Sequence, residues 1–297
     1  MQIPMRAKNP VFAGADPQAL VVDDTVWIYP THGPRGEFFA FSSKDLVNWE
    51  KHGPLLQFSG IDWIPEGRHA WAPGIAARDG KFYFYYSVGP KPSHIGVAVG
   101  DSPAGPFRDS GSPLLSDDGD PNFEAIDAAV FEDPADGRWY FYAGGSAGAT
   151  LRVFELNDDM ISFKREIDVE TPPHFTEGSY MHHHDGRYHF TYSHGYWRAA
   201  SYSVHHATAP TPTGPWTHRG RILASDENHK GPGHHSVIQN PHTKEWLIIY
   251  HRWNNRDDEG PFRGHRKVAI ERLVHEEDGG IRPVKMTDEG VRGWATR

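Results

Sequence analysis

One strand pattern recurs five times along the 297-residue chain. A polar turn leads into β-branched or aromatic residues in DTVWIYPT, GKFYFYYS, GRWYFYAG, GRYHFTYS and KEWLIIYH, which begin at Asp24, Gly80, Gly137, Gly186 and Lys244. Successive starts lie 56, 57, 49 and 58 residues apart. A second short strand precedes each of these by little more than a turn, so each pair is predicted to form a hairpin.

A third strand follows each hairpin, and in most units a connection and a fourth strand follow it. The third strands are EFFAFSS, HIGVAVG, LRVFEL, SYSVHHA and KVAIERL. Four strands in each of five units predict an all-β, five-bladed β-propeller with four antiparallel strands per blade and residues 1–297 in one domain. The alternatives are a pair of β-sandwiches and a parallel β-helix, although β-helix rungs are shorter than these units.

The charge and composition narrow the range of partners. The net charge is −9 and no run of Lys or Arg is present, which argues against nucleic acid as a partner. The chain has no cysteine, which excludes disulfides and thiolate catalysis. No long apolar segment predicts a membrane span or a signal peptide. We therefore expect a cytoplasmic protein, or a secreted or periplasmic one if a signal was removed, of unknown oligomeric state.

One repeat position carries most of the polar signal. In a propeller the first strand of each blade lines the central channel, so equivalent positions converge on one axis. The position near the start of this strand holds Asp16, Trp71, Asp127, Glu177 and the pair His234 and His235. Each residue alone has a structural explanation, such as a turn for Asp16 before Pro17. Their coincidence at one repeat position instead predicts an active site at the central channel.

Three carboxylates at one site suggest a specific chemistry. In glycoside hydrolysis one carboxyl group protonates the leaving oxygen, while the other activates water or attacks directly. A third carboxylate can keep the acid protonated near neutral pH, because like charges in a poorly solvated site raise each other's pKa. We expect Trp71, Phe38 and Trp253 to offer flat faces to a sugar, and His235 to contact the substrate.

Five motifs, in order, resemble glycoside hydrolase family 43. They are NPVFAGADPQALV, HAWAPGIAARDGKFYFYYS, NFEAIDAAVFED, FTEGSY and GPGHHSVIQNPHTKEWLIIYHRW. This family consists of five-bladed propeller enzymes that act on arabinose- and xylose-containing polysaccharides. The resemblance implies that Asp16 is the general base, that Glu177 is the general acid, and that Asp127 tunes the pKa of the acid and orients the substrate. It also implies inversion, with carboxyl groups roughly 6.5–9.5 Å apart.

The resemblance extends to three further residues. Trp71 resembles the wall beside the reacting sugar, and Arg266 a late arginine that contacts sugar hydroxyls. His234 resembles a histidine on the channel axis that binds calcium mostly through water. Because calcium prefers oxygen ligands, sodium, water or no ion are the alternatives, and no cofactor is expected for the chemistry.

The run from His182 to His184 resembles a metal-binding cluster. Strand alternation, however, sends His183 to the opposite face from its two neighbours. The sequence therefore favours surface or subsite histidines over a zinc site here.

The expected activity is inverting release of α-L-arabinofuranosyl or β-D-xylosyl units from plant cell-wall oligosaccharides or polysaccharides. The chain ends soon after the fifth blade, without the C-terminal β-sandwich of many β-xylosidases, which favours an arabinofuranosidase. The alternatives are an arabinanase, or a galactosidase or fructosidase of the same fold. A non-catalytic carbohydrate-binding propeller is also an alternative, but it would repeat the same sugar-binding residues in several blades.

Overall fold

Five antiparallel sheets form a ring in the computed structural model, which describes residues 6–32, 36–254 and 256–294. The first strands of neighbouring sheets contact each other in cyclic order, and the first strand of the fifth sheet contacts that of the first. The prediction of a five-bladed β-propeller is therefore confirmed. No helix in the described part of the chain is long and apolar enough to cross a membrane.

Blades 1 to 3 follow the predicted strand order. Blade 1 consists of Ala15–Val22, Thr25–Thr31, Glu37–Ser43 and Glu50–Gln57. Blade 2 consists of His69–Arg78, Lys81–Gly89, His94–Gly100 and Arg108–Asp109, with Leu115–Ser116 also paired to its third strand. Blade 3 consists of Ala129–Glu132, Trp139–Ala143, Arg152–Leu156 and Phe163–Ile167. A 3₁₀ turn, Phe58–Gly60, connects blades 1 and 2.

Blades 4 and 5 complete the ring, and the chain start closes it. Blade 4 consists of Glu177–His184, Arg187–His194, Ser203–Ala209 and Thr217–Leu223. Blade 5 consists of His229–Gln239, Trp246–Asn254, Lys267–Leu273 and, as its outer strand, Phe12–Ala13. Arg6–Ala7 pairs with Val291–Arg292 nearby. The fourth strand of blade 5 thus comes from the other end of the sequence.

The apolar core lies between blades. The alternating aromatic and aliphatic residues of each sheet pack against the next sheet, as Tyr29 and Phe38 of blade 1 do against Phe84 of blade 2. Corresponding clusters join blades 2 and 3, 3 and 4, 4 and 5, and 5 and 1. Both faces of each sheet are therefore covered, and this holds the channel walls in place.

Each first strand bends where it enters the channel. In blades 1, 2, 4 and 5 an extra residue interrupts the pairing with the second strand. One residue at this bend has a positive φ in every blade, and these residues are Asp16 (49°), Ala72 (36°), Asp127 (62°), Gly178 (64°) and His234 (39°). A β-bulge of this kind re-aims side chains, and here it directs them to the channel mouth.

Candidate active site

A cavity of about 430 Å³ lies at the channel mouth. The sequence predicts that six residues share one position of the repeat and form this site. That prediction of a single shared position is wrong. Asp16, Asp127 and His234 occupy the bend itself, whereas Trp71 and Glu177 each come one residue earlier. Because the extra residue turns the backbone, both positions face inward, and these five residues line the same cavity.

The bends are linked by hydrogen bonds between blades. In four blades the bend N–H donates to a side chain on the second strand of the preceding blade. These pairs are Ala72 to Thr31 Oγ1 (2.7 Å), Asp127 to Ser87 Oγ (3.0 Å), His234 to Ser193 Oγ (2.8 Å) and Asp16 to His251 Nδ1 (3.0 Å). In blade 3 the matching second-strand residue is Gly144, which has no side chain. The Gly178 N–H donates instead to Asp127 Oδ2 at 3.0 Å, so this ring of hydrogen bonds passes through a site carboxylate.

Asp16 is held as a carboxylate. Its Oδ1 accepts a hydrogen bond from Arg266 Nη1 at 2.7 Å and lies 3.5 Å from His234 Nδ1 and 3.3 Å from His251 Nδ1. Burial raises the pKa of Asp16, but Arg266 and the two histidines outweigh burial and hold the pKa well below its usual value. Asp16 is therefore ionised at neutral pH and can accept a proton.

Glu177 retains its proton to a much higher pH than Asp16 does. Burial raises its pKa most strongly, the hydrogen bond from Tyr202 Oη to its Oε1 (2.7 Å) lowers it, and the Asp16 charge raises it again. The net result is a pKa of about 7. Two carboxyl groups in one cavity thus have opposite protonation states near neutral pH, which is the arrangement that an acid and a base require.

Asp127 lines the same cavity as these two groups. Burial and the charges of Glu177 and Asp16 raise its pKa well above the usual value, although the Gly178 N–H favours the ionised form. Its Oδ2 also lies 3.4 Å from His234 Nδ1. Because the pKa values of Asp127 and Glu177 are both raised and the charge of Glu177 contributes to the rise for Asp127, the two carboxyl groups titrate as a coupled pair.

Two tryptophans form the walls of the cavity. Trp71 lies where a Cβ on Gly89 would come within 1.9 Å of its ring, so this placement depends on glycine at position 89. Trp197 faces the same cavity, and the guanidinium of Arg266 lies 4.6 Å from its ring centroid. A wider cavity of about 620 Å³ shares Trp71, Trp197 and Arg266 and opens towards His265. The connected volume is large enough for more than one sugar ring.

Three residues predicted to contact substrate do not reach the cavity. Phe38 is 0% exposed and packs against Phe58 and Phe84 in the core between blades 1 and 2. Trp253, 2% exposed, donates its Nε1–H to the Trp197 carbonyl. His235, 1% exposed, hydrogen-bonds Thr191 through Nε2. The predictions of sugar contact for Phe38, Trp253 and His235 are wrong, because each side chain points into a blade interface.

The sequence reasoning also missed three residues of the site. Trp197 lies in the loop between the second and third strands of blade 4, and Glu124 precedes the first strand of blade 3. Tyr202 reaches Glu177 from the start of the third strand. For Trp197 the sequence does contain a signal, because two adjacent aromatic residues, Tyr196 and Trp197, lie in a loop. Tyr202 and Glu124 carry no comparable signal, since tyrosine and glutamate are common in such positions.

The predicted calcium ion at His234 stays a prediction, and the donor set around that residue suits it poorly. Calcium takes six to eight oxygen ligands. The carboxylates beside His234 are those of Asp16 and Asp127, which already bind Arg266 and the Gly178 N–H.

The comparisons with known proteins identify the family of the chain. The model described as "Glycosyl hydrolases family 43" matches residues 7–281. The β-D-galactofuranosidase xynD of Aspergillus niger is 38% identical over 97% of this chain and 88% of its own length. An arabinoxylan arabinofuranohydrolase of Bacillus subtilis is 31% identical over 94% of this chain and 63% of its own length.

Solved structures are similar over nearly the whole chain. A thermostable family-43 glycoside hydrolase has a TM-score of 0.81 and 28% identity, covering 97% of this chain and 98% of its own. The α-L-arabinofuranosidase CtGH43 from Clostridium thermocellum has a TM-score of 0.78 and 31% identity, covering 94% and 95%. The similarity therefore includes all five blades.

Proposed function

Because the chain belongs to glycoside hydrolase family 43, we propose that it is an inverting exo-glycosidase that removes terminal α-L-arabinofuranosyl units from oligosaccharides. The observation that carries this proposal is the split protonation across one tryptophan-walled cavity. Glu177 has a pKa of about 7, while the pKa of Asp16 is held well below its usual value. An acid and a base are thus available at the same pH.

Glu177 acts as the general acid. Its proton passes to the glycosidic oxygen as the bond from that oxygen to the anomeric carbon breaks, which leaves a carboxylate on Glu177. Burial and the neighbouring carboxylates make this proton available near pH 7. Tyr202 fixes Oε1 through its hydroxyl, which directs the rest of the carboxyl group towards the substrate.

Asp16 acts as the general base. It takes a proton from the water whose oxygen attacks the anomeric carbon from the face opposite the leaving group, so the product has inverted configuration. Arg266, His234 and His251 all contact Oδ1 of Asp16, which leaves Oδ2 for the water. Burial and the charge of Glu177 raise the pKa of Asp127, so a negative charge on one member of this pair favours the protonated form of the other.

The relatives support a furanosyl substrate. The names of two similar proteins specify arabinofuranose and that of another specifies galactofuranose. The ring carbons of α-L-arabinofuranose and β-D-galactofuranose have the same configuration, and galactofuranose carries one additional hydroxymethylene in its side chain. A pocket shaped for one ring therefore fits the other wherever the exocyclic group has room.

The second candidate is hydrolysis of β-D-galactofuranosides. The 38% identity to the Aspergillus niger enzyme over 97% of this chain favours it. The cavity continues from Trp71 and Trp197 into the wider space beside His265, which provides volume near the sugar. β-D-xyloside is the pyranosyl alternative, named in other relatives of this chain.

The first experiment compares the p-nitrophenyl glycosides of α-L-arabinofuranose, β-D-galactofuranose and β-D-xylose with arabino-oligosaccharides, using wild type, Glu177→Gln and Asp16→Asn. We expect Asp16→Asn to lower kcat/KM by about 10³-fold or more on every substrate. Glu177→Gln should lower it much less on the aryl glycosides, because p-nitrophenolate leaves without protonation. The control variant Glu132→Gln changes an exposed carboxyl on blade 3 and should retain full activity.

The outcome distinguishes the roles and the substrate. Equal losses on aryl and oligosaccharide substrates in Glu177→Gln would contradict its role as acid. Activity on oligosaccharides alone would favour an arabinanase. Proton NMR of the first product anomer tests the stereochemistry, and a retained configuration would contradict Asp16 as a base.

A further inference from the structure

Four histidines assemble between blades 4 and 5, away from the active-site cavity. His182 and His189 face each other on the first two strands of blade 4, His206 lies on its third strand, and His275 follows the third strand of blade 5. We call these four residues the histidine cluster. His182 comes five residues after Glu177, roughly 15 Å along the strand. The cluster is therefore separate from the proposed chemistry.

The rings lie in close contact. His182 Nε2 is 2.8 Å from His275 Nε2. The His189 ring stacks on the His182 ring with centroids 5.0 Å apart and on the His206 ring with centroids 5.1 Å apart. His183 instead contacts Tyr188, as strand alternation predicts. The side chains of His182 and His184, on either side of His183, thus lie on the same face of the strand.

The nitrogen atoms are close to the spacing of a metal site. One nitrogen each from His182, His189 and His275 lies within 4.8 Å of the other two. Three imidazole nitrogens around tetrahedral zinc are about 3.3 Å apart, since each Zn–N bond is about 2.0–2.1 Å long. Small rotations of the rings would bring all three to this spacing.

One ring is already oriented by a second. His189 Nδ1 lies 3.0 Å from His206 Nε2, so an ion would bind the other ring nitrogen of His189, Nε2. Metal-binding histidines usually make such a hydrogen bond through the nitrogen that does not bind the metal. His206 is therefore suited to a supporting role.

Hydrogen bonding alone does not explain the assembly. In the part of the chain that the structure describes, Nδ1 of His182, of His206 and of His275 has no hydrogen-bond partner. Buried polar atoms rarely lack one. The Nε2 atoms of His182 and His275 face each other and can share only one proton. The lone pair of one of these two atoms therefore always points at the other atom. A cation that binds both lone pairs would remove the need for that proton.

The rings are in the form that binds metals. Burial, followed by the neighbouring His184, lowers the pKa of His189 to about 4 and that of His275 to about 3. Uncharged imidazole is the metal-binding form.

A small cavity of about 180 Å³ gives access to the cluster. It is lined by His184, Asp185, Arg187, His189, His275, Glu276, Glu277 and Gly279. Its three carboxylates exceed the two nearby guanidiniums, those of Arg187 and of Arg282, which pairs with Glu276 at 2.6 Å, so the lining has a small net negative charge. The opening therefore attracts cations.

We propose that the histidine cluster binds one Zn²⁺ ion through His182, His189 and His275, with His206 orienting His189. Three imidazoles without a carboxylate ligand match zinc and similar transition metals, whereas calcium and magnesium prefer oxygen. His184 lies beside these ligands, with its ring centroid 4.1 Å from that of His275. The ion links two strands of blade 4 to the segment after the third strand of blade 5, so its role is structural.

A second histidine group provides the internal control. His174, His205 and His218 also present nitrogens within 4.8 Å of one another. His174 is exposed there, whereas His182 and His189 of the histidine cluster are buried. The more buried group favours a permanent ion because water competes less with its ligands.

The test uses the full chain after removal of metals with EDTA. Zinc is titrated by calorimetry, and zinc retained after gel filtration is counted by mass spectrometry. We expect one zinc ion per chain and a Tm about 5 °C higher at a hundredfold excess over Kd. His275→Gln should weaken binding by about 100-fold and abolish the Tm increase. The control His218→Gln should change affinity by less than about twofold.

Two further measurements keep the proposal testable. If metal-free His275→Gln lacks the circular dichroism of the wild type, His206→Asn is used, with an expected loss of about 10–100-fold in affinity. Tetrahedral Co²⁺ absorption in wild type that disappears in either variant supports the proposal. No binding below a Kd of about 100 μM, or loss in His218→Gln with retention in His275→Gln, would overturn it.

Discussion

At the scale of single residues, the cavity has more carboxyl groups than positively charged side chains. Four carboxyl groups line it, those of Asp16, Glu124, Asp127 and Glu177, and Arg266 binds one of them directly. Burial makes ionisation of Asp127 and Glu177 unfavourable and raises the pKa of both. Arg266 therefore favours the ionised form of Asp16, whereas Asp127 and Glu177 retain their protons to higher pH than an exposed carboxyl group does.

The Tyr202→Phe variant tests this balance. The Tyr202 hydroxyl hydrogen-bonds Glu177 and lowers its pKa, so removing the hydroxyl should raise that pKa above about 7. Because the acid must be protonated, activity falls as pH rises through this pKa. We expect the alkaline limb of the kcat/KM profile to move up by about 0.5–1 pH unit.

The control for this prediction is Tyr192→Phe, which removes a hydroxyl bound to the Pro173 carbonyl. It should leave the alkaline limb in place. An alkaline limb that stays fixed or moves down in Tyr202→Phe would show that another group is the acid.

At the scale of elements, the bend of each first strand positions the functional groups. A positive φ is costly for Asp16, Asp127 and His234. The ring of hydrogen bonds between blades holds each bend through its N–H. Each functional side chain is thus held by the blade before its own, and the site depends on how the blades dock.

Ser87→Ala tests one link of this ring. Ser87 is fully buried and accepts the Asp127 N–H, so the variant leaves that amide without its acceptor. We expect a loss of about 1–3 kcal/mol in the free energy of unfolding by urea, with a roughly tenfold lower kcat/KM. The exposed Ser110→Ala should change stability by less than about 0.5 kcal/mol. Equal stability of the two variants would contradict a holding role for the ring.

At the scale of the whole molecule, the propeller is closed by its first residues. Phe12–Ala13 adds the outer strand to blade 5. Asn9, which is buried, extends this pairing, since its Nδ2 donates to the Ile270 carbonyl at 3.0 Å and its Oδ1 accepts the Ile270 N–H at 2.8 Å. The Asn9 side chain thus makes the two hydrogen bonds that the backbone of a paired strand residue would make. These bonds attach this N-terminal segment to blade 5.

Asn9→Ala should weaken this closure. It removes both bonds to Ile270 and leaves the Ile270 N–H without its acceptor. It also removes one of the three hydrogen bonds to Glu271 Oε1, while the two from Thr287 remain. We expect a loss of about 2–4 kcal/mol in the free energy of unfolding, measured by urea denaturation. The exposed Asn228→Ala is the control and should be nearly neutral. A neutral Asn9→Ala would show that closure does not depend on this side chain.

The sequence alone was sufficient for the number of blades, and it also provided Asp16, Asp127 and Glu177 as the candidates for the proposed chemistry. A repeat in which four strands recur five times has few folded solutions, and the motifs around Asp16, Asp127 and Glu177 are local in sequence. Both kinds of information lie along the chain, so no knowledge of contacts between blades was needed.

The tertiary structure decided which side chains face the cavity. The sequence could not place Phe38, Trp253 and His235 in blade interfaces, or Trp197 and Tyr202 at the site, because these outcomes depend on how neighbouring sheets pack. The bulge that separates Asp16 from the position of Glu177 adds one residue without changing the motif. Burial and the distances between blades set the pKa values and assembled the histidine cluster, and these arise only when residues far apart in sequence are brought together.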